Sequence, residues 1–177
     1  MKVIETQHNG ILFRSRLEAR WALFMDTVGV KYNYEPEAYN LDGVFYTPDF
    51  WLPKVGVFVE IKPAAATNEE KEKAHRLATF TGKNLVFFCS QPELPGLGEP
   101  EDHSLCVFPK GGEDFPYWWC ECPKCHRVGI EYSGLGDRIA CGCGNRPKAY
   151  TFDSPRFKAA YSGAQNHRFW NPKGGTK

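Results

Sequence analysis

The sequence predicts an α/β fold: a mixed β-sheet packed against helices, followed by a small cysteine-bearing unit and a C-terminal helix. A stretch with helical periodicity is followed by three short apolar runs rich in β-branched residues, and then by a second helical stretch and a further strand. Three successive strands favour a mixed sheet over a fully parallel one. We therefore expect an α/β core of roughly the first 110 residues.

The first helix is expected over residues 15–28, and Gly29 is placed to end it. The segment before it, residues 3–13, is expected to be extended. The apolar side chains of the helix recur at helical spacing and form one stripe, which is made of Leu17, Trp21, Phe24, Met25 and Val28.

The remaining elements follow from β-branched runs, capping residues and turn signals. The second helix is expected at 67–81, where Thr67 and Glu70 have the spacing of a capping box. A terminal helix is expected at 154–170 with Ser154 as its N-cap. Strands are expected at 30–39, 44–52, 56–62, 84–90 and 104–108.

The composition is that of an ordinary globular protein. Of the 177 residues 42% are hydrophobic and 24% charged, which excludes wholesale disorder. No apolar run approaches the ~18–20 residues of a membrane span, so we expect no membrane association. The first residues lack the apolar core of a signal peptide, and a cytoplasmic location is the expectation.

The charge is unevenly distributed although the net charge is only +1. Residues 1–123 carry 12 Lys and Arg against 18 Asp and Glu, whereas residues 124–177 carry 10 against 3. A basic C-terminal third favours a polyanionic partner, and a solvated basic tail is the alternative interpretation.

A carboxylate–lysine set lies on two neighbouring expected strands. Glu60 and Lys62 are two residues apart and share a face of their strand, and Asp49 lies on the preceding strand. Unpaired charges are costly in a packed sheet, and a divalent cation held by Asp49 and Glu60 would offset that cost. Such hard oxygen ligands suit Mg²⁺ or Mn²⁺ and metal-assisted phosphodiester hydrolysis. The alternative is an aspartate ending a strand beside a Glu60–Lys62 ion pair.

This spacing resembles the signature of the PD-(D/E)xK nuclease superfamily, whose members have a restriction-endonuclease-like core. The resemblance covers about residues 10–90, including the order of helices and strands. Within the superfamily, the sequence also resembles the small phage and transposon endonucleases and the resolvases. The matching residues are Pro48-Asp49 and, after ten residues, Glu60-Ile61-Lys62.

The resemblance also implies an acidic residue on the helix that precedes the strands, and Glu18 has that position. Glu18 is also the last residue of a Ser15-x-x-Glu18 capping box, so the two roles compete for one carboxylate. By the resemblance, the catalytic residues would be Glu18, Asp49, Glu60 and Lys62. The Mg²⁺ or Mn²⁺ ligands would be Glu18, Asp49, Glu60 and the Ile61 carbonyl.

The function that the resemblance implies is a metal-dependent DNA endonuclease. The favoured form is structure-directed, like a Holliday junction resolvase of phage or bacterial origin, working in the cytoplasm of a bacterial cell. The partner would be branched or duplex DNA, and a homodimer is plausible because cutting two strands needs two sites. The alternatives are a site-directed or transposase-associated endonuclease, a non-catalytic zinc-containing nucleic-acid-binding protein, and a protein–protein adaptor.

Five of the seven cysteines are crowded into 24 residues, which indicates a metal site in a reducing compartment. Cys122 and Cys125, followed after fifteen residues by Cys141 and Cys143, resemble the two knuckles of a zinc ribbon. The second pair is C-x-C and not C-x-x-C, and Cys120 is a possible substitute ligand. With four thiolates and no open position, this Zn²⁺ would be structural.

Basic and aromatic side chains surround the cysteines. The aromatic ones either stack on unpaired bases or pack the appended unit onto the core. We expect a nuclease core at 1–112, a zinc ribbon at 113–150, and a C-terminal helix with a basic tail at 151–177. The candidate nucleic-acid-binding residues are Lys124, Arg127, Arg138, Arg146, Lys148, Arg156, Lys158 and Arg168.

Overall fold

The computed structural model describes residues 3–94, 105–109, 115–132, 141, 143 and 153–170. Within these ranges the chain is a mixed α/β fold, as the sequence predicts. The helices are α1 (Arg16–Val28), α2 (Asn68–Thr81) and α3 (Pro155–Asn166). The strands are β1 (Thr6–His8), β2 (Ile11–Phe13), β3 (Asn33–Tyr34), β4 (Tyr39–Leu41), β5 (Val44–Tyr46), β6 (Phe50–Leu52), β7 (Val57–Lys62), β8 (Asn84–Cys89), β9 (Leu105–Val107), β10 (Phe115–Glu121) and β11 (Val128–Tyr132).

A seven-stranded sheet forms the centre of the fold, in the order β11-β10-β9-β8-β7-β6-β3. Strands β7 and β8 are parallel and are joined through α2, whereas the other neighbours are antiparallel. A helix is the usual crossover between parallel strands. Two hairpins, β1–β2 and β4–β5, lie outside this sheet. The result is the mixed sheet that three leading strands favour.

The two faces of the sheet carry different helices. Val59 and Ile61 of β7 pack in the larger core with α1 and α3, where the rings of Phe24 and Tyr161 lie 4.6 Å apart. The intervening Phe58 packs on the other face with α2 and the β4–β5 hairpin. Because strand side chains alternate, Glu60 and Lys62 belong to this second face.

The helix boundaries follow the capping residues. The Ser15 hydroxyl accepts the Glu18 N–H at the start of α1, and Gly29 ends the helix in the left-handed region at φ 72°. Thr67 and Glu70 form the expected capping box of α2. Helix α3 ends at Asn166, four residues earlier than expected, because His167 is extended.

Two of the expected strands are each divided in two. The 44–52 segment contains β5 and β6, and the 30–39 segment contains β3 and the first residue of β4. Pro48 has no N–H to donate to a ladder, and Pro36 follows Glu35, which has φ 42°. These breaks release residues 39–46 as the separate β4–β5 hairpin.

The cysteine-bearing region begins with a hairpin of the central sheet, which the sequence pattern did not indicate. Phe115 of β10 pairs with Cys106 of β9, and Tyr117 and Trp119 are buried in the main core. The division expected at residue 112 and the tail at 171–177 lie outside the described residues. No helix among the described residues is long and apolar enough to cross a bilayer.

Candidate functional site

Sheet pairing brings two of the predicted acidic residues together. Phe50 pairs with Val59, so the next position of the antiparallel ladder places Asp49 across from Glu60. Both carboxylates are buried, Asp49 to 5% exposure and Glu60 to 8%. We call Glu18, Asp49, Glu60 and Lys62 the carboxylate site.

Asp49 is held by one backbone and one side-chain donor. The Ile61 N–H donates to Oδ2 at 2.7 Å, and the Arg14 guanidinium donates to Oδ1 at 2.8 Å. Arg14 was not among the predicted site residues, because it reaches Asp49 from a position 35 residues away in sequence. The Ile61 carbonyl stays a predicted ligand.

Glu60 and Lys62 are held from the second face of the sheet. The Tyr46 hydroxyl donates to Glu60 Oε2 at 2.9 Å, and Lys62 Nζ lies 3.1 Å from Glu60 Oε1. Lys62 Nζ also lies 2.9 Å from Glu70 Oε1, while Glu70 Oε2 accepts the Thr67 N–H. The sequence assigned Glu70 only to the capping box, yet it serves the helix and the lysine at once.

Glu18 also combines two roles. Its Oε1 accepts the Ser15 hydroxyl at 2.7 Å, and its Oε2 accepts the Tyr34 hydroxyl at 2.7 Å. One oxygen of Glu18 therefore contacts the N-cap residue and the other contacts Tyr34. Two further glutamates lie close together in sequence, and of these Glu35 contacts Arg14 at the rim, whereas Glu37 accepts the Tyr39 hydroxyl.

Burial and neighbouring charges shift the pKa values of three groups at the site, Asp49, Tyr46 and Lys62. Burial raises the pKa of Asp49 well above its ordinary value, and the neighbouring Glu60 and Glu18 add to this, whereas the Ile61 N–H and Arg14 oppose it. Burial also raises the pKa of Tyr46, which Glu60 reinforces. Burial alone would lower the pKa of Lys62, but Glu60 and Glu70 outweigh it and the pKa is raised.

The side chains of the carboxylate site are of the chemical type that a hard divalent cation prefers. Asp49 interacts electrostatically with Glu60 and Glu18, although the ligand atoms of these three carboxylates do not all lie within 4.8 Å of one another, and Arg14 and Lys62 balance part of their charge. Oxygen ligands of this kind suit Mg²⁺ or Mn²⁺. A divalent cation would satisfy the same need for positive charge with a more compact group.

A cavity of about 220 Å³ opens onto Glu60 and Lys62. Lys73 of α2 lines one side, and the β5 residues Val44 and Phe45 line the other. The Phe45 side chain is 73% exposed. The β4–β5 hairpin, which the broken strand released, thus forms one wall of the site.

The cysteine cluster is a second, separate candidate site. The ligand atoms of the four predicted cysteines all lie within 4.8 Å of one another, and no other set of His, Cys, Asp or Glu in the described part of the chain is gathered in this way. Sγ–Sγ distances are 3.4 Å for Cys122–Cys143 and 3.1 Å for Cys141–Cys143. This geometry suits a tetrahedral metal such as Zn²⁺.

Cys120 packs against Cys122 in one small apolar cluster but is not among the four gathered ligands. The Cys120 Sγ lies 3.8 Å from the Gly129 carbonyl, and burial raises the pKa of its thiol. Burial opposes ionisation of Cys122 as well, but the N–H groups of Cys125 and Lys124 outweigh it and lower the pKa of that thiol to about 6. A thiolate is the form that binds metal, so Cys122 is the better ligand.

Several of the predicted nucleic-acid-binding residues contact the protein itself. Arg156 donates to the Val28 carbonyl at the end of α1 and to the His126 carbonyl, which ties α3 to the rest of the fold. Lys124 Nζ donates to the Cys143 carbonyl at 3.3 Å, and Lys158 pairs with Asp153 at 3.1 Å. Arg127 and Arg168 lie within the described residues, whereas Arg138, Arg146 and Lys148 do not.

The aromatic residues divide between packing and exposure. Tyr117 and Trp119 are core residues, and Phe169 packs partly against the same core. Trp170 is 72% exposed. Packing therefore accounts for Tyr117 and Trp119, and Trp170 stays available to solvent.

Comparisons with protein-family models, with curated proteins and with solved structures find no match to this chain.

Proposed function

We propose that the protein is a metal-dependent DNA endonuclease that hydrolyses phosphodiester bonds, with a core of the restriction-endonuclease type. The observation that carries the proposal is the meeting of Asp49 and Glu60 across two strands, with Lys62 on the same face and Glu18 approaching from α1. Buried carboxylates in such proximity are costly unless a ligand uses them.

Each residue has a distinct part in this proposal. Asp49 and Glu60, with Glu18 and the Ile61 carbonyl, would hold Mg²⁺ or Mn²⁺. That ion, when bound, would polarise the scissile phosphate and make a bound water more acidic. Lys62, restrained between Glu60 and Glu70, would orient the attacking water or balance the charge that develops on the phosphate.

The proposal extends to zinc and to the substrate. Zn²⁺ held by Cys122, Cys125, Cys141 and Cys143 would be structural, because four thiolates leave no open position. Within the nuclease class we favour a structure-directed enzyme of phage or bacterial origin that cuts branched DNA, in keeping with the resolvase-type members that the motif resembles. The site-directed or transposase-associated form would instead cut a duplex at fixed positions.

Cleavage of a labelled substrate panel tests the proposal. The panel contains duplex, single-stranded, flap, four-way-junction and RNA substrates, each with Mg²⁺, Mn²⁺ or EDTA. We expect cleavage that requires the metal and falls about a thousandfold or more in Asp49→Asn, a loss of roughly 4 kcal/mol of transition-state stabilisation. Glu69→Gln is the matched control, since Glu69 is exposed and pairs with Lys73 on α2.

The outcomes separate the candidate functions. A preference for the junction or flap supports the structure-directed form, and a fixed cut in duplex supports the site-directed one. The cysteine cluster favours one second candidate, a zinc-containing nucleic-acid-binding protein without catalysis. Binding of the panel by zinc-loaded protein, with no cleavage under either metal, would establish that candidate and dismiss the nuclease.

A further inference from the structure

Arg14 bridges two carboxylates at the rim of the carboxylate site. Its Nε lies 2.7 Å from Glu35 Oε1, and a terminal nitrogen lies 2.8 Å from Asp49 Oδ1. Its backbone N–H donates to the Tyr34 hydroxyl, which in turn donates to Glu18. The backbone of Arg14 is thus fixed to the site, while its side chain is 57% exposed.

The contact with Asp49 competes with any cation that Asp49 would hold. The Ile61 N–H already occupies Oδ2, and Arg14 occupies Oδ1. A divalent ion that binds the same carboxylate would place its positive charge beside the guanidinium, and the repulsion between the two cations favours release of Oδ1 by Arg14. Removal of Arg14 should therefore make the site more attractive to the metal, although it leaves the buried carboxylate without its cationic partner in the metal-free protein.

A displaced Arg14 would not lack a partner. Glu35 holds its Nε from the solvent side, and the Glu35 side chain is itself 36% exposed. The two terminal nitrogens would then be free beside the metal, with donors in the fork geometry that fits phosphate oxygens. A lysine offers a point charge at this position, without the fork.

We infer that Arg14 pairs with Asp49 in the metal-free protein and contacts a phosphate of the substrate once a divalent cation binds the same carboxylate. The inference depends on the proposed nuclease function and deepens it, because it couples metal binding to binding of the nucleic-acid backbone. A merely structural arginine would not have opposite effects on the two ligands.

Two binding measurements without cleavage test this coupling. Binding of Mn²⁺ to the full chain without nucleic acid is followed by the electron paramagnetic resonance signal of free Mn²⁺. Binding of a fluorescein-labelled oligonucleotide is followed by anisotropy in Ca²⁺. The variants are Arg14→Gln and Arg14→Lys. Arg76→Gln is the matched control, because Arg76 is exposed on α2 and pairs with Glu72 away from the site.

Arg14→Gln is expected to change the Mn²⁺ affinity and the oligonucleotide affinity in opposite directions. Arg14→Gln should bind Mn²⁺ about threefold to tenfold more tightly and the oligonucleotide about fivefold to tenfold more weakly. Arg14→Lys should keep the Mn²⁺ affinity within about twofold of the wild type and still lose several-fold on the oligonucleotide. Arg76→Gln should change neither. Circular dichroism checks the fold, and Arg14→Lys alone decides the question if Arg14→Gln does not fold.

Two results would overturn the inference. One is Mn²⁺ affinity that is unchanged or weaker in Arg14→Gln, and the other is oligonucleotide affinity that is unchanged in Arg14→Lys. Neither touches the nuclease proposal if the wild type still cleaves with metal and Asp49→Asn does not. A wild type that neither binds Mn²⁺ nor cleaves any substrate defeats the nuclease proposal itself, together with this inference.

Discussion

The two candidate metal sites differ in what balances their charge. In the carboxylate site, Asp49 and Glu60 lie on paired strands, and the protein's own Arg14 and Lys62 contact them. In the cysteine cluster the sulfur atoms mainly face one another, 3.1 to 3.8 Å apart for the pairs among Cys122, Cys141 and Cys143. The charge of the carboxylate site is thus partly balanced by protein cations without a metal. The cysteine cluster instead brings together four thiols that a metal ion would join.

This difference indicates two relations between metal and fold. By the proposal, a metal at the carboxylate site would exchange with protein cations, so the fold would form without it. A metal at the cysteine cluster would join the turn at Cys122–Cys125 to residues 141 and 143, so its binding energy would contribute to folding. The predictions below test this contrast.

The largest effect on stability is expected from replacing, one at a time, two cysteines that differ in burial. Cys125 is exposed and Cys120 is buried, so packing alone predicts that replacing Cys120 is the more damaging change. If the cluster holds zinc, Cys125→Ser should lose the metal and more than about 3 kcal/mol of unfolding free energy, which is roughly 10 °C. Cys120→Ala should keep one zinc per chain and lose about 1 kcal/mol.

Metal content by mass spectrometry and thermal melting check this reversal. The contrast between the two sites collapses if Cys120→Ala is the more destabilised variant or if both variants keep their zinc. It also collapses if EDTA under conditions that remove zinc leaves the melting temperature of the wild type unchanged.

The second prediction concerns the negative charge of the buried Asp49 carboxylate. The pKa of Asp49 is raised in the native state above the unfolded value of about 3.9. Its contribution to stability is therefore fully present below about pH 4 and is lost as pH rises through the native pKa. In EDTA, Asp49→Asn should remove this loss and be about 1–2 kcal/mol more stable than the wild type at neutral pH.

Urea unfolding in EDTA at several pH values between 5 and 8 measures this effect. Saturating Mg²⁺ should stabilise the wild type and leave Asp49→Asn unchanged. Asp153→Asn is the control, because Asp153 is exposed and pairs with Lys158. An Asp49→Asn protein that is less stable than the wild type at pH 7 would show that Arg14 and Ile61 already satisfy the carboxylate.

Local signals in the sequence predicted much of the fold. Ser15 and Gly29 bound α1, Thr67 starts α2, and the alternation along β7 places Glu60 and Lys62 on one face. These helix ends and strand faces are determined by residues that lie close together in sequence. The meeting of Asp49 with Glu60 was also predictable, because it needs only two adjacent antiparallel strands in register.

Contacts distant in sequence were not predictable in the same way. Arg14 and Tyr46 belong to the site only because the β4–β5 hairpin and the start of α1 converge on it. The strands β10 and β11 carry no clean alternation, and the pairing of β10 with β9 and of β11 with β10 decided their place. Cysteine spacing likewise left Cys120 open as a ligand until the ladder turned its sulfur toward Gly129.

The third prediction tests whether the protein's own hydrogen bonds hold the carboxylate site. The Tyr46 hydroxyl donates to the buried Glu60, and its loss in Tyr46→Phe should cost about 1–2 kcal/mol. Tyr39→Phe on the same hairpin is the matched control, since that hydroxyl donates to the exposed Glu37 and should cost under about 0.5 kcal/mol. Chemical denaturation in EDTA measures both. Equal losses would mean that Glu60 needs no support from the hairpin.

The smallest effect on stability is expected at two adjacent glutamates of α2. Glu70 contacts Lys62 and caps the helix, whereas Glu69 forms an exposed pair with Lys73. Glutamine also serves at this capping position, so Glu70→Gln and Glu69→Gln should each change the unfolding free energy by under about 0.5 kcal/mol.

Their effects on cleavage should nevertheless differ. Glu70→Gln removes one of the two carboxylates that restrain Lys62, and we expect a severalfold lower cleavage rate with no change in zinc content. Glu69→Gln should cleave like the wild type. Single-turnover rates of the two variants, measured in saturating Mg²⁺, make the comparison. Identical rates would show that the restraint of Lys62 by Glu70 does not contribute to cleavage.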